Sequence, residues 1–276
     1  MIESTQLGDD FSLRFISARL LNFRIPADAF DPNGDWELKY GVYTFTALRQ
    51  GPTPGKLVGR MKLARKRVND DEAELSLDYE KDGPGTIQKV AGTIRCGTDA
   101  LSTPSHWEYS AEVVDSNGKP YENSKISKRG EASDGRIEIA DDHRVRRLAI
   151  NGPFTINWAV WDAVMRMPHE TAEPLRFTML DHFDQLKYRQ TLAFRESGVV
   201  TLGQRRIREE SWKTLEKGRI RQTQWATTGG RDVTLHGFEQ LGEGIVPWVY
   251  WTDDQGRLLF IVSGLEVYVL DSWQKT

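Results

Sequence analysis

The stretch Glu74-Leu75-Ser76-Leu77-Asp78-Tyr79-Glu80 alternates polar and apolar residues without a break. Because successive side chains of a β-strand point to opposite faces, the alternation places Leu75, Leu77 and Tyr79 together on one face. One apolar face and one polar face are typical of an antiparallel sheet that packs only one side against a core. The stretch therefore predicts a half-buried antiparallel strand.

The same pattern recurs along the whole chain at short intervals. Turn residues such as Pro54-Gly55, Gly83-Pro84-Gly85 and Gly229-Gly230 separate the apolar runs, and they mark the ends of strands. The other predicted strands are 40–48, 57–65, 87–95, 107–114, 136–139, 175–180, 188–194, 219–227, 232–241, 246–251, 258–262 and 267–270. We predict an all-β fold, an antiparallel meander of roughly fifteen to eighteen strands, rather than βαβ units.

A single segment has helical rather than strand spacing. Residues 158–167 contain neither Gly nor Pro, and Trp158, Trp161 and Met165 recur at intervals of three and four. These intervals place the three side chains on one face of a helix. Asn157 is suited to cap the start, and Pro168 to end the helix. We predict one short helix that lies against a sheet or plugs its open end.

The helix divides the chain into residues 1–150 and residues 151–276, but no linker rich in Pro, Gly or Ser separates the two halves. We therefore expect one large β unit over 1–276. It forms either a half-barrel or two tightly packed lobes, with an N-terminal β lobe over 1–150 and a C-terminal β lobe over 151–276 that begins with the helix.

Composition argues against several classes of function. Lys and Arg (37) nearly balance Asp and Glu (40), which gives no electrostatic reason to expect a nucleic acid or an anionic membrane as partner. The mixed-charge stretch with Arg205, Arg206, Arg208, Arg219 and Arg221 is typical of paired charges on exposed strands. Cys96 is the only cysteine, so no intrachain disulfide is possible. No metal-ligand spacing or phosphate loop occurs, and we predict no metal and no cofactor.

The longest apolar runs are the length of strands. Leu258-Leu259-Phe260-Ile261-Val262 is far shorter than the roughly 20 residues of a membrane-spanning helix, so we predict no transmembrane segment. No signal peptide precedes the first strand, an observation that does not decide the compartment.

The last third of the chain resembles certain bacterial envelope proteins of unknown function. The pattern consists of residues 177–180, then Pro247-Trp248-Val249-Tyr250-Trp251-Thr252-Asp253-Asp254-Gln255-Gly256-Arg257-Leu258-Leu259, then Tyr268-Val269-Leu270. In that group an antiparallel half-barrel is similar to the lipoprotein-carrier fold. The resemblance implies a periplasmic or secreted location and a concave sheet that binds an apolar or extended ligand. It brings no catalytic residues.

Aromatic residues form the densest candidate binding set. Its members are Trp158, Trp161, Trp248, Tyr250 and Trp251. On the strand, Trp248 and Tyr250 share one face and Trp251 points to the other. Rings on a concave sheet could stack on sugars or line an acyl channel. Aromatic residues are also favoured in strands and cores, so a purely structural role stays open.

Charged candidates accompany the aromatic set. Asp162 and Arg166 are four residues apart on the helix, which suits either a charged feature at the mouth of a cavity or an ordinary surface pair. Asp181-His182-Phe183-Asp184 could supply a base or a metal ligand, together with Asp141-Asp142-His143 if the fold brings them together. Two solvated turns are the alternative. His106, His169 and His236 each stand alone in the sequence.

The sequence leaves the function itself open. We favour a non-catalytic envelope or secreted β protein that binds a lipid, another apolar or extended ligand, or a protein partner on a concave sheet. The alternative is a carbohydrate-active enzyme, of glycoside hydrolase or lyase type, that uses carboxylates and aromatic subsites. An assembly module with exposed strand edges is a third hypothesis. The substrate, the oligomeric state and the presence of catalysis do not follow from the sequence.

Overall fold

A computed structural model describes residues 5–6, 12–13, 23–44, 46–48, 51–53, 55–182, 184–215, 218–264 and 266–276, without the side chains of 5–6, 46–48, 51–53 and 204–228. The strands are β1 (Thr5–Gln6), β2 (Trp36–Thr44), β3 (Thr46–Leu48), β4 (Gly51–Thr53), β5 (Leu57–Arg67), β6 (Glu72–Gly83), β7 (Thr86–Gly97), β8 (Pro104–Asp115), β9 (Ile126–Ser133), β10 (Arg136–Ala140), β11 (Val145–Ala149), β12 (Phe154–Ile156), β13 (Leu175–Asp181), β14 (Gln185–Leu215), β15 (Gly218–Leu241), β16 (Trp248–Thr252), β17 (Leu258–Ser263) and β18 (Glu266–Lys275). The helix α1 spans Asn157–Met165.

One large sheet organises the fold. Its strand order is β11-β10-β9-β8-β7-β6-β5-β2-β18-β17-β16-β15-β14-β13-β12, with β1 paired to β14. The pairing is antiparallel except between β12 and β13 and between β1 and β14. Among the strands that the structure describes, β11 and β12 are the two edges, and the sheet does not close into a barrel. The all-β antiparallel prediction is confirmed.

Alternation of side chains determines which face of the sheet is buried. In β6, Leu75, Leu77 and Tyr79 are all buried, as predicted. The register places them opposite buried residues of β5, with Leu77 beside Leu63 and Tyr79 beside Met61. The same side of β2, β7 and β8 is also buried, so these strands share one concave apolar face. Burial of this shared face stabilises the fold by about 25 cal/mol for each Å² of apolar area removed from water.

The helix α1 packs inside the concave face. Its residues from Trp158 to Met165 are buried all round. The predicted helix is confirmed, but both of its predicted ends are wrong. Ile156 is the N-cap residue because β12 runs directly into the helix, and Asn157 makes no capping hydrogen bond. The helix ends at Met165 and not at Pro168. The N–H groups of Arg166 and Met167 close the last turn on the carbonyls of Ala163 and Val164, and Pro168 disfavours helical geometry at Met167.

A buried ionic cluster ties α1 to the sheet. Arg65 Nε of β5 lies 3.2 Å from Asp162 Oδ1, and Arg166 Nη2 lies 3.0 Å from Asp162 Oδ2. Ser102 Oγ donates a hydrogen bond of 2.7 Å to Asp162 Oδ2. Arg65 and Asp162 side chains are each 1% exposed. The i,i+4 pair therefore forms, but inside the molecule and not on its surface.

The hairpin of β14 and β15 departs from the prediction. Gly229-Gly230 was expected to be a turn between two strands, yet both residues lie within β15. Their φ angles are +72° and +97°, and Gly203 on the opposite strand has φ +71°. Because glycine adopts positive φ without steric cost, the paired strands can bend there and continue. The side chains of the predicted arginine-rich stretch lie outside the described residues.

Ion pairs connect the two ends of the open sheet. Asp184, in the turn between β13 and β14, contacts Lys128 of β9. Arg146 Nη1 of β11 lies 3.5 Å from Asp184 Oδ2, and Arg144 Nη2 lies 4.0 Å from the same oxygen. The edge strand β11 and the neighbourhood of the edge strand β12 are therefore joined through side chains.

We expect Asp162→Asn to lower the free energy of unfolding by about 3 to 5 kcal/mol, because it leaves two buried guanidinium groups without a counter-charge. Urea denaturation followed by circular dichroism measures the change. Asp142→Asn, which removes an exposed carboxylate, is the matched control and should change stability by less than about 0.5 kcal/mol. A loss at Asp162 no larger than that of the control would contradict the assigned role of the cluster.

Candidate functional site

An aromatic cleft opens on the concave face beside the start of α1. Two adjoining cavities form it, with volumes of about 330 Å³ and about 290 Å³. Both cavities are lined by Asn157, Trp158, His182, Val246 and Trp248. The first also reaches Tyr79, Val90, Tyr109 and Tyr268, and the second reaches Trp161, Met179, Gln240 and Tyr250. We call the two together the aromatic cleft. Its size is within the range of small-molecule binding sites.

Stacked rings form one wall of the aromatic cleft. Trp248 lies 6.2 Å from Tyr268 and 6.3 Å from Tyr250, with interplanar angles of 24° and 18°. These near-parallel planes follow from strand geometry, because Trp248 and Tyr250 project from the same face of β16. The helix supplies the facing rings, with Trp158 packed 5.8 Å from Trp161 and 6.3 Å from Tyr79. The wall is therefore broad, apolar and held in place by ring contacts.

A polar network lies at one side of the aromatic cleft. Lys81 of β6 contacts Glu266 of β18, and Tyr268 Oη donates a hydrogen bond of 2.7 Å to Glu266 Oε2. Tyr79 is hydrogen-bonded to Tyr268 in turn. Burial raises the pKa of the Tyr268 hydroxyl, and the nearby Glu266 carboxylate raises that pKa further. Tyr268 therefore stays protonated and serves as a donor.

His182 stands at the rim of the aromatic cleft. It has φ +55°, a left-handed conformation that is uncommon for a residue other than glycine. Its Nδ1 lies 2.6 Å from Asp181 Oδ1, and this hydrogen bond raises the pKa of the imidazole. The turn 181–184 was predicted as a solvated turn or a base. Asp181 ends β13, His182 and Asp184 lie in turn conformation, and Phe183 lies outside the described residues. His182 lines both cavities.

The structure separates the predicted site residues into two groups. Trp158, Trp161, Trp248 and Tyr250 line the aromatic cleft. Trp251 points to the opposite face of β16, where its Nε1 donates a hydrogen bond of 2.8 Å to Ser12 Oγ. Gly237 lies flat against that indole, since a Cβ there would come within 2.7 Å of the ring.

Asp162 lies one turn after Trp158 in the helix, and Arg166 follows one turn later, as the residue directly after the helix. Both belong to the buried ionic cluster, and neither lines the aromatic cleft. Their chemistry therefore serves the attachment of α1 to the sheet.

Sequence reasoning missed the polar members of the cleft. Lys81 and Glu266 are 185 residues apart, and the strand order β6-β5-β2-β18 brings them together. Tyr79 and Tyr268 were recognised as strand residues but not as neighbours. The alternation of β6 was a usable signal for the face on which Lys81 lies, but the apolar run Val267 to Leu270 in β18 does not alternate. Neither segment alone determines the register between distant strands.

Two of the three isolated histidines meet in the fold. His169 stacks on His236 at a centroid distance of 3.7 Å. His236 Nδ1 lies 2.6 Å from Ser197 Oγ, and His236 Nε2 lies 2.9 Å from Asp254 Oδ1. These residue types resemble a catalytic triad, but the Asp254 side chain is 70% exposed.

The surrounding backbone does not favour nucleophilic catalysis at Ser197. Strand β14 pairs with β15 through Ser197 and with β1 through Gly198, so its backbone groups are engaged in the sheet. An oxyanion hole needs backbone donors that are free to face a developing charge. We therefore assign the Ser197–His236–Asp254 cluster to the anchoring of the segment that follows α1.

Other kinds of site find no support in the described part of the chain. No group of three or more His, Cys, Asp or Glu side chains there is arranged to hold a metal ion. The thiol of Cys96 is buried, and burial raises its pKa to about 12, which opposes its use as a nucleophile. No helix within the described ranges has both the length and the apolar character needed to cross a membrane.

The sheet that curves around one helix defines a β-barrel-like fold, and comparison with solved structures agrees. The crystal structure of a β-barrel-like protein from Brucella abortus, a domain of unknown function of the DUF1849 group, has a TM-score of 0.51. The similarity covers 90% of this chain and 100% of that chain at 8% sequence identity. A "putative lipoprotein" from Parabacteroides distasonis also aligns over 90% of this chain and 100% of its own, with a TM-score of 0.24 and 7% identity.

The likeness to the Brucella abortus protein shows the fold alone. No protein-family model matches the chain, and no curated protein matches its sequence. The resemblance to β domains of unknown function is thus supported at the level of architecture.

The histidine stack predicts a pH dependence of stability. Burial lowers the pKa of His169 below its ordinary value of 6.5, and the adjacent His236 lowers it further against the opposing effect of Asp254. The unfolded chain therefore binds the proton more tightly, so the free energy of unfolding falls as the pH drops below about 6.5. We expect His169→Gln to make this decline shallower between pH 7 and pH 5, as measured by urea denaturation at each pH.

His182 has a raised pKa, so its contribution to the pH dependence of the free energy of unfolding has the opposite sign. Because the wild-type protein and the His169→Gln variant both contain His182, it does not affect the difference between their slopes. Equal slopes for the two proteins would show that His169 titrates normally in the folded state.

Proposed function

We propose that the protein is a non-catalytic ligand-binding protein of the bacterial envelope or of a secreted fraction, and that it holds the apolar part of its ligand in the aromatic cleft. One observation supports this proposal above all others. Beside Trp158 and Trp248 the protein keeps an apolar cavity of several hundred Å³, where a close-packed core would leave no such space.

The chemistry of the lining favours an acyl or similarly extended group. Apolar surface predominates in both cavities, although polar side chains such as Thr44, Gln88 and Ser263 also line the first one. At the inner end Tyr250 Oη donates 2.7 Å to Gln240 Oε1, so that hydroxyl is already engaged. An apolar chain would gain about 0.8 kcal/mol for each buried CH₂ without breaking a protein hydrogen bond.

The envelope location rests on the resemblance of the C-terminal third to envelope domains. Residues 177–180, 247–259 and 268–270 carry that resemblance, and in the fold they belong to β13, β16, β17 and β18. Of these, β16 and β18 supply the stacked rings of the cleft wall.

Carbohydrate hydrolysis has less support from this cleft. A glycosidase needs two carboxyl groups that are available on either side of a sugar ring. Glu266 is engaged by Lys81 and Tyr268, and Asp181 is engaged by His182. Among the described lining residues, each carboxylate therefore has a structural partner, so we retain binding and not catalysis.

Val246→Trp tests the proposed function by placing an indole in the mouth of the aromatic cleft. We expect it to weaken binding of the neutral fluorescent probe 1-N-phenylnaphthylamine about tenfold or more, because the indole competes for the same volume. Leu241→Trp is the matched control, since Leu241 is 42% exposed and Val246 is 41% exposed, but Leu241 lines neither cavity.

Fluorescence titration with each variant gives the dissociation constants. The proposal fails if the wild-type protein does not bind the probe, or if the two tryptophan variants lose affinity equally.

A further inference from the structure

Basic side chains lie on the concave face next to the aromatic cleft. Lys128 of β9 is directly opposite Tyr109 of β8, and Tyr109 lines the first cavity. Since paired residues of neighbouring strands project to the same side, Lys128 shares the cleft's face. Its side chain is only 11% exposed, so it lies inside the rim.

The register also places Arg146 on this face. Arg146 pairs with Ile139, which is buried and pairs with Gly130, and Gly130 pairs with Trp107 in the core. Arg147, the next residue, points to the convex side, where its Nε bonds to Glu138 Oε2 at 2.7 Å. Two adjacent arginines on one edge strand therefore face opposite sides of the sheet.

The concave cations exceed their counter-charges. Lys128, Arg144 and Arg146 all converge on the single carboxylate of Asp184, and Arg144 has a second partner in Asp141 at 3.3 Å. Three cations therefore face two carboxylates, Asp184 and Asp141, and the group keeps one excess positive charge within a chain whose net charge is −3. Asp181 of the same turn is hydrogen-bonded to His182. His182 belongs to the same turn as Asp184, at most about 7 Å away between Cα atoms.

We infer that the ligand is an amphiphile with an anionic headgroup, a carboxylate or a phosphate. Its chain occupies the aromatic cleft, and its head binds Lys128 and Arg146 beside the turn 181–184. This inference rests on the proposed function and adds the chemistry of the head. Asp184 holds the two cations in place in the free protein, and the headgroup shares them or displaces the carboxylate. Charge-assisted hydrogen bonds of this kind are about twice as strong as neutral ones.

Ligands with one chain and different heads test the inference. Tetradecanoate, tetradecyl phosphate and tetradecan-1-ol differ only at the head. Each is titrated against 1-N-phenylnaphthylamine bound to the full chain, the two anions below their critical micelle concentrations and the alcohol below its solubility limit. We expect one or both anions to bind at least about tenfold tighter than the alcohol at low salt. The advantage should shrink at 300 mM salt, because the head site is partly open to solvent. The first two ligands also distinguish a carboxylate site from a phosphate site.

Paired variants then locate the head. Arg146→Gln should remove most of the anion's advantage and leave the alcohol unchanged, whereas Arg147→Gln removes the same charge from the convex side and should alter neither ligand. Asp184→Asn should strengthen anion binding by about two- to fivefold, because the competing carboxylate is gone. A purely structural role for Asp184 gives the opposite sign, a loss of binding for every ligand.

The outcomes separate this inference from the proposed function. If the alcohol binds as tightly as both anions, or if Arg146→Gln and Arg147→Gln behave alike, the anionic head is overturned and the apolar cleft stands. If none of the three ligands displaces the probe, and the probe itself does not bind, the proposed function fails as well.

Discussion

The buried carboxylate of Asp162 sets the position of α1, and the rest of the concave face depends on that position. Two guanidinium groups and a hydroxyl surround it, from β5, from the helix itself and from the loop before β8. Burying such charges is costly unless their geometry is well satisfied. Any other register of the helix would leave these buried charges unpaired, so the contact of Asp162 with Arg65 favours the observed position. Trp158, one turn earlier, is thereby fixed at the edge of the aromatic cleft.

The cleft exists because one helix of nine residues cannot fill the face of so large a sheet. Near Arg65 the helix packs closely, and Trp161 fits between Tyr40 and Tyr268 at 5.6 Å and 5.0 Å. On the N-terminal side of Trp158 the helix does not continue, because β12 ends at Ile156, directly before the helix begins. The face between β6, β8 and β16 is left to aromatic side chains, which cover it without filling it.

Much of this architecture can be predicted from the sequence, but only part of the aromatic cleft can. Alternation identifies the buried face of β6, and spacing identifies α1, because both are local consequences of backbone geometry. The same local reasoning finds Trp158, Trp248 and Tyr250. It cannot find the contact of Lys81 with Glu266 or of Lys128 with Asp184, which depends on the order of strands in the sheet. It also misplaces the turn at Gly229-Gly230, because glycine signals a bend and not necessarily a reversal.

The failure of the sheet to close explains why the polar chemistry gathers at one rim. In a closed barrel, backbone hydrogen bonds would join the two edge strands, and no strand would have unpaired backbone groups. Here Lys128, Arg146 and Asp184 join the two ends, and charges at a partly exposed rim respond to salt and to competing ions as backbone bonds in a core do not. Lys128 pairs with Tyr109 of the aromatic cleft, and Asp184 lies two residues from His182, which also lines the cleft. The ion pairs of Asp184 with Lys128 and Arg146, which join the two ends of the sheet, are thus also the contacts that an incoming charged group can most readily rearrange.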